Sequence, residues 1–168
     1  PDIIVTPYYG EDGTLAPHII GTVGAITEEQ YNKYEEEGKV YDTQTGNVTG
    51  YTINDKVGQS GVEAAFEDDL RGISGKENVI RDRAGEMTGT SLERAPKSGN
   101  SVVLTIDSEL QAELNKSLSK NVEANPAPLA DTGSAVVLDC KTFGVIAAST
   151  YPSYDLDRYY NDKDYYAY

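Results

Sequence analysis

The chain has 168 residues, 14 basic against 28 acidic, a formal net charge of -14 and one cysteine. That length suits one domain or two small ones, and a field of that sign repels phosphate backbones and anionic lipid, which sets aside nucleic acid as a partner and basic-patch docking on a membrane. Cys140 alone allows no disulfide within the chain, and apolar runs such as Val145-Ile146-Ala147-Ala148 are too short to span a bilayer.

In chain order, the first helix signal is Ile26-Thr27-Glu28-Glu29-Gln30-Tyr31. Thr27 stands as N-cap with Gln30 three residues on, a capping box, and Ile26 and Tyr31 are spaced for a hydrophobic staple. Gly38 supplies the stop. This helix, Glu28 to Glu37, has glutamates on most sides and only Tyr31 and Tyr34 to bury, so it is expected as a surface hairpin arm.

A second helix opens at Ser60, whose hydroxyl can cap the amide of Glu63; Val62, Ala65, Phe66 and Leu70 fall on one face and Gly72 ends it. Gly58 and Gly61 let the chain turn tightly into this helix where side chains would collide. Two structural roles are open to Glu63. It can close a capping box with Ser60, or it can also form a partly buried ion pair with Arg71, whose planar guanidinium suits a carboxylate.

From Asn78 to Ile106 short β-branched runs are broken by Gly85, Gly89, Pro96 and Gly99, which predicts strands joined by turns. Ser108-Glu109-Leu110-Gln111 is a further capping box, opening a longer helix with Leu110, Leu114, Leu118 and Val122 on one stripe and Pro126 closing it. Ala124-Asn125-Pro126-Ala127-Pro128 is a loop. Gly133 to Cys140 and Phe143 to Thr150 are apolar runs flanking Lys141-Thr142, a hairpin expected to be buried on both faces. The segment from Tyr154 onward, rich in Tyr and Asp, shows no period and is expected to order only by packing against other parts.

Several of these stretches together resemble the middle of a class B penicillin-binding protein. The residues that carry the resemblance are Gly58-Gln59-Ser60-Gly61-Val62-Glu63, Leu70-Arg71-Gly72-Ile73-Ser74-Gly75 and Leu104-Thr105-Ile106-Asp107, in the family's order. Thr6-Pro7-Tyr8-Tyr9 with Ala16-Pro17-His18-Ile19-Ile20-Gly21-Thr22-Val23-Gly24, and Tyr151-Pro152-Ser153-Tyr154-Asp155, extend it over nearly the whole chain. The Gly21-to-Gln30 pattern favours the elongation-type subgroup, similar to penicillin-binding protein 2.

The resemblance implies an α+β fold. An elongated pedestal of short helices and antiparallel strands over residues 1–100, the dimerisation domain, would be followed over 101–168 by the first helix and β-hairpin of an incomplete transpeptidase domain. It further implies a parent serine-type D,D-transpeptidase that cross-links peptidoglycan outside the cytoplasmic membrane, anchored by a helix upstream of Pro1. Gly58, Gly61, Glu63, Arg71, Gly72 and Asp107 would then be architectural residues, with no catalytic, cofactor or metal role. Implied partners are the protein's own transpeptidase domain, a membrane glycosyltransferase and a rod-shape scaffold protein. The apolar hairpin and the helix face at Leu110, Leu114 and Leu118 are expected to self-associate or to be held by a segment beyond Tyr168. A free-standing extracellular interaction module of the same architecture is the alternative.

Three stretches imitate catalytic motifs. Ser117-Leu118-Ser119-Lys120 matches Ser-x-x-Lys, Ser98-Gly99-Asn100 matches S-x-N, and Lys141-Thr142-Phe143 is one residue from K-T-G. Their order is not the family's, and Ser117 falls deep inside a helix, where a hydroxyl bonds back to its own backbone. Cys140 is expected as a small apolar filler and His18, the only histidine, as a packing residue. Asp155, Asp157, Asp162 and Asp164 lack the glycine and closing glutamate of a calcium loop and are expected as a solvated acidic tail.

Overall fold

The computed structural model describes residues 2–3, 14–125 and 131–161. In chain order its elements are β1 (Asp2–Ile3), α1 (Pro17–Ile20), β2 (Val23–Ala25), α2 (Glu28–Glu36), β3 (Lys56–Gly58), α3 (Gly61–Ala65) and α4 (Glu67–Leu70). They continue with β4 (Gly75–Arg81), β5 (Met87–Arg94), α5 (Ser108–Glu123), β6 (Gly133–Leu138), β7 (Val145–Tyr151) and α6 (Leu156–Asn161). The strands form separate sheets in the orders β1-β4-β5, β2-β3 and β6-β7, so the class is α+β, as expected. Two compact units are built from interleaved stretches: one from 1–7, 23–57 and 66–102, the other from 8–22, 58–65 and 103–168.

The core of the first unit gathers Ile26, Tyr51 and Val57, with Tyr31 and Tyr34 of α2 packed against it. Helix α2 starts as its sequence dictates: the Thr27 hydroxyl accepts from the Gln30 amide and the Gln30 side chain accepts from the Thr27 amide, the two bonds of the capping box. It ends on Gly38 at φ 68°, where the Lys39 amide reaches the Tyr34 carbonyl and the Gly38 amide that of Glu35. That is the Schellman pattern, which favours glycine at the left-handed position. The helix is no free arm, because its two tyrosines cover the core.

Strands β4 and β5 form a hairpin whose tip is closed by Asp82, which accepts from the amides of Ala84 and Glu86. Gly85 sits there at φ 87°. Gly89 lies inside β5 opposite Ile80, beside a register shift, and does not break the strand as its sequence signal predicts. Between Arg94 and α5 the strand pairing recorded is an isolated bridge, Ile73 to Lys97.

The predicted helix from Ser60 to Leu70 is in fact two, α3 and α4, separated at Phe66 with φ -118° and ψ 25°. The break puts Glu67, Asp68 and Asp69 in the first turn of α4, where the positive end of the helix dipole favours carboxylates that a continuous helix would hold mid-length.

In the second unit α5 lies on one face of the β6-β7 hairpin. Burial along β6 alternates: Ser134, Val136 and Leu138 are exposed, Val136 at 63% and Leu138 at 52%, while Gly133, Ala135 and Val137 are half-buried. The hairpin is therefore not buried on both faces, since α5 covers one side. Nor does Leu110 belong to the covered stripe. Gln111 takes that place, fully buried, with Leu114, Leu118 and Val122 following at helical spacing. A Cβ at Gly133 would meet Val122 at 3.0 Å and Leu118 at 3.3 Å, so this glycine lets α5 approach β6.

The hairpin loop falls between Leu138 and Val145. Asp139 accepts from the Lys141 amide at 2.8 Å and the Thr142 hydroxyl at 2.9 Å, and both bonds hold its carboxyl below the usual carboxylate range. Phe143 takes φ 59° there. Cys140 lies in this loop and is exposed, because β6 ends before reaching it; the filler role is overturned. After Tyr151 the chain orders into α6, whose first amides, of Asp157 and Arg158, bond the Asp155 carboxylate. Thr6-Pro7-Tyr8-Tyr9, the closing Pro126 and Asp162 and Asp164 lie outside the described residues.

The capping residue of α5 is Asp107, whose side chain accepts from the Leu110 amide at 2.8 Å, rather than Ser108, which is the first helical residue. Asp107→Ala is expected to cost about 0.5–2 kcal/mol in urea unfolding and Ser108→Ala less than about 0.5 kcal/mol. The reverse ranking would return the cap to Ser108.

Candidate functional site

Arg71 leaves the C-terminal end of α4 in a backbone too tight for side chains on either side. A Cβ at Gly72 would approach the Lys97 carbonyl to 2.6 Å, and one at Gly99 would fall on the carbonyl of Leu70. These glycines let the 97–100 segment lie against residues 70–73, where Ile73 and Lys97 exchange amide-to-carbonyl bonds of 2.7 and 2.9 Å. With the backbone so fixed, the Arg71 guanidinium reaches over the Tyr51 ring, 3.7 Å from its centroid. Its Nη1 donates to the Thr49 carbonyl at 3.0 Å, and its Nη2 pairs with Asp55 at 3.4 Å.

Each partner of Arg71 is itself held. Asp55 closes a turn by accepting from the Thr52 amide at 3.0 Å and the Thr52 hydroxyl at 2.8 Å. Tyr51 is stacked on Tyr34 of α2, with centroids 4.1 Å apart and planes 7° from parallel. The Tyr51 hydroxyl donates to Glu67 of α4 at 3.1 Å. Guanidinium and two rings thus form a continuous stack joining α4, the 49–55 segment and α2. Lys39, just beyond α2, adds an ion pair to Asp68 at 2.8 Å and one to Glu37 at 2.9 Å.

Electrostatics follow from this burial. Loss of solvation, and next the Glu67 carboxylate, push the Tyr51 hydroxyl far above the usual phenol range, with Arg71 opposing. The Tyr34 hydroxyl is raised for the same two leading reasons. Lys39 is held above the usual ammonium range by its bonds to Asp68 and Glu37. Both phenols therefore stay protonated, and the stack carries its cation next to neutral rings.

Of the six residues singled out in the sequence, Arg71 and Gly72 belong to this first unit, and Gly58, Gly61, Glu63 and Asp107 to the second. Gly58 is buried at the end of β3, where a Cβ would fall on the carbonyl of Glu63. Gly61 takes φ 60°, and a Cβ there would stand 2.5 Å from the Ile19 carbonyl. The Ser60 hydroxyl accepts from the Thr22 amide at 3.0 Å and shares a 3.1 Å bond with the Thr22 hydroxyl. The carboxylate that the structure places beside Arg71 is that of Asp55. Sequence reasoning missed Tyr51, Asp55 and Glu67; the Thr52-to-Asp55 turn signal was present, but nothing local says which of 13 tyrosines lies under an arginine.

Ser117 lies inside α5, where the Asn121 side chain donates to its carbonyl at 2.7 Å and its hydroxyl at 3.4 Å. The neighbouring Ser119 hydroxyl bonds back to the Lys116 carbonyl. Among the described residues no group of His, Cys, Asp and Glu could hold a metal ion, and no helix is long and apolar enough to cross a membrane.

Residues 8–104 match the family model described as the penicillin-binding protein dimerisation domain. Among curated proteins, the chain is 32% identical over 142 residues to a probable peptidoglycan D,D-transpeptidase PenA of Neisseria meningitidis, covering 83% of this chain and 23% of that protein. It is 30% identical over 158 residues to the peptidoglycan D,D-transpeptidase MrdA of Haemophilus influenzae, covering 92% and 22%. The chain thus spans less than a quarter of the length of the curated relatives it matches. Among solved structures, penicillin-binding protein 2X of Streptococcus thermophilus shares the fold with a TM-score of 0.57 at 20% identity, over 86% of this chain and 18% of that one. A complex between a penicillin-binding protein (PBP2) and MreC from Helicobacter pylori does so with a TM-score of 0.55 at 23% identity, over 90% and 24%.

Arg71→Ala is expected to cost about 1–3 kcal/mol, and Arg71→Lys to recover only part, since an ammonium keeps charge but not the planar stack. In double-mutant cycles, coupling of Arg71 to Tyr51→Leu should exceed coupling to Asp55→Asn, a part-exposed pair worth about 0.2–1 kcal/mol. The opposite order would make the ion pair the anchor. The raised Tyr51 pKa has a pH signature as well. The folded state holds the phenolic proton more tightly than the unfolded state, so the stabilisation is complete below about pH 10 and is lost as pH rises through the folded value. Stability measured by denaturant between neutral and strongly alkaline pH should fall in wild type and fall less in Tyr51→Phe; equal slopes would remove Tyr51 from the account.

Proposed function

The chain belongs to the penicillin-binding protein dimerisation-domain family, of the class B type, and from that membership we propose that it is the noncatalytic pedestal region of a peptidoglycan transpeptidase. In this reading residues 1–100 are the pedestal and residues 101–168 open the transpeptidase domain. The parent protein is a serine-type D,D-transpeptidase of the elongation type, anchored at the extracytoplasmic face of the bacterial membrane. The observation that carries the reading is the family match over residues 8–104. Its partners are the protein's own transpeptidase domain, a membrane glycosyltransferase and a scaffold protein; the Helicobacter pylori PBP2 complex with MreC supports the last. The exposed β6 face, with Val136 and Leu138, supports association with another copy or with a further segment of the same protein.

A noncatalytic role is supported by the placing of the motif residues. Gly58, Gly61 and Gly72 are spent on close backbone approach, and Arg71 on the tyrosine stack. Ser117, the only serine in a Ser-x-x-Lys spacing, is a mid-helix residue tied to Asn121. An acyl-enzyme needs a serine activated by a neighbouring base in a shaped cleft. The alternative is a free-standing interaction module. A downstream reading frame carrying a P-G-S-x-x-K-like segment within the next few dozen residues supports the pedestal reading, and its lack supports the module.

The chain as it stands is expected to take up no denaturation-resistant label from a fluorescent penicillin. Stoichiometric labelling that maps to Ser117 and is lost in Ser117→Ala would overturn the noncatalytic assignment.

A further inference from the structure

We infer that residues 14–22 and 58–65 form a strap that folds as one cooperative body with α5, β6 and β7, and that its closure depends on backbone contact between Gly21 and Gly61. The inference does not rest on the pedestal reading. It rests on which groups satisfy which within the second unit, to which both segments belong although the residues flanking them in sequence, 23–57 and 66–102, do not.

The two halves of the strap interlock at the level of the main chain. Gly21 is at φ 87°, and a Cβ on it would fall on the Ser60 carbonyl. Gly61 is at φ 60°, and a Cβ on it would stand 2.5 Å from the Ile19 carbonyl and 2.8 Å from the Gly21 Cα. Both conformations are strained for any residue with a side chain, and neither site has room for one. The contact is locked by the Gln59 amide on the Thr22 carbonyl at 2.7 Å and by the paired hydroxyls of Thr22 and Ser60.

The strap is tied in turn to the helix-and-hairpin layer by side chains of the layer. Asn115 of α5 donates to the Leu15 carbonyl at 2.9 Å and accepts from the buried Gln111 at 3.0 Å. Gln111 also exchanges two 2.8 Å bonds with the main chain of Ala148 in β7, so one amide ladder runs from the strap through α5 into the hairpin. On the other side the Tyr154 hydroxyl donates to the Pro17 carbonyl at 3.0 Å, and the His18 ring meets the Tyr154 ring edge-on at 4.8 Å. Ala16, Pro17 and Leu156 are buried in the same unit.

Size makes the two parts interdependent. Helix α1 has four residues and α3 five, too short to persist alone, and a two-stranded hairpin under one helix is itself marginal. Closing the strap gives the layer further buried apolar surface and gives the strap its hydrogen-bond partners. A perturbation at either glycine therefore reaches α5 through Asn115 and Gln111, and the body is not recovered by cutting the chain near residue 100.

The test is hydrogen exchange on the intact chain. In Gly61→Ala, amide exchange is expected to rise by about tenfold or more at Gln59 and at the remote Gln111 and Ala148, with the β4-β5 hairpin unchanged. Faster exchange at Gln59 with Gln111 and Ala148 unchanged would overturn the inference. Should Gly61→Ala fail to fold, Tyr154→Phe removes the hydroxyl that bonds the Pro17 carbonyl and keeps the ring. It is then expected to speed exchange several-fold at Gly21 and Gln59, and a change confined to the residues around 154 would overturn the inference equally.

Discussion

The Arg71 guanidinium laid on the Tyr51 ring is the interaction on which the first unit depends. It is the point where three otherwise weak elements meet. Helix α2 carries no fully buried residue, α4 has four residues, and the 49–55 segment is a set of turns. None of these would hold its shape alone. Tyr51 connects them by stacking on Tyr34, bonding Glu67 through its hydroxyl and accepting the cation of Arg71 on its open face. In a chain of net charge -14, an arginine in this position also offsets the nearby carboxylates of Asp55 and Glu67. Gly72 and Gly99 matter because they permit the backbone approach that aims Arg71 inward.

The second unit is governed by a related constraint, contact of backbone with backbone at Gly21, Gly58 and Gly61. In this chain the motif glycines stand where backbone meets backbone, and the motif arginine lies over an aromatic ring. These glycines and Arg71 lie within residues 8–104, the stretch that matches the dimerisation-domain family.

Much of this was legible where the signal is local. The capping box at Thr27 and Gln30, the stop at Gly38, the long helix after Asp107 and the hairpin around residue 140 follow from neighbours three or four residues apart. Legibility failed where a distant partner decides. Gln111 looked like the fourth residue of a capping box but is buried because Ala148 in β7 presents an amide and a carbonyl for it to pair. Helix 60–70 looked continuous, yet it breaks at Phe66, which puts Glu67, Asp68 and Asp69 in the first turn of α4. Cys140 read as buried because an apolar run does not show that β6 ends before it, and Val136 because such a run does not tell the covered face of a hairpin from the exposed one. Asn115 and Leu15 are bonded across 100 residues, a separation no motif reaches.

The NMR signals of Arg71 in the intact chain test most directly whether this arginine is an anchor against an aromatic ring. Its side-chain protons should be shifted upfield by the Tyr51 ring current, with guanidinium rotation slowed by the Thr49 carbonyl, and the upfield shift should vanish in Tyr51→Leu. Arg71 signals at the positions of a freely rotating, solvated arginine in the wild-type chain would contradict it.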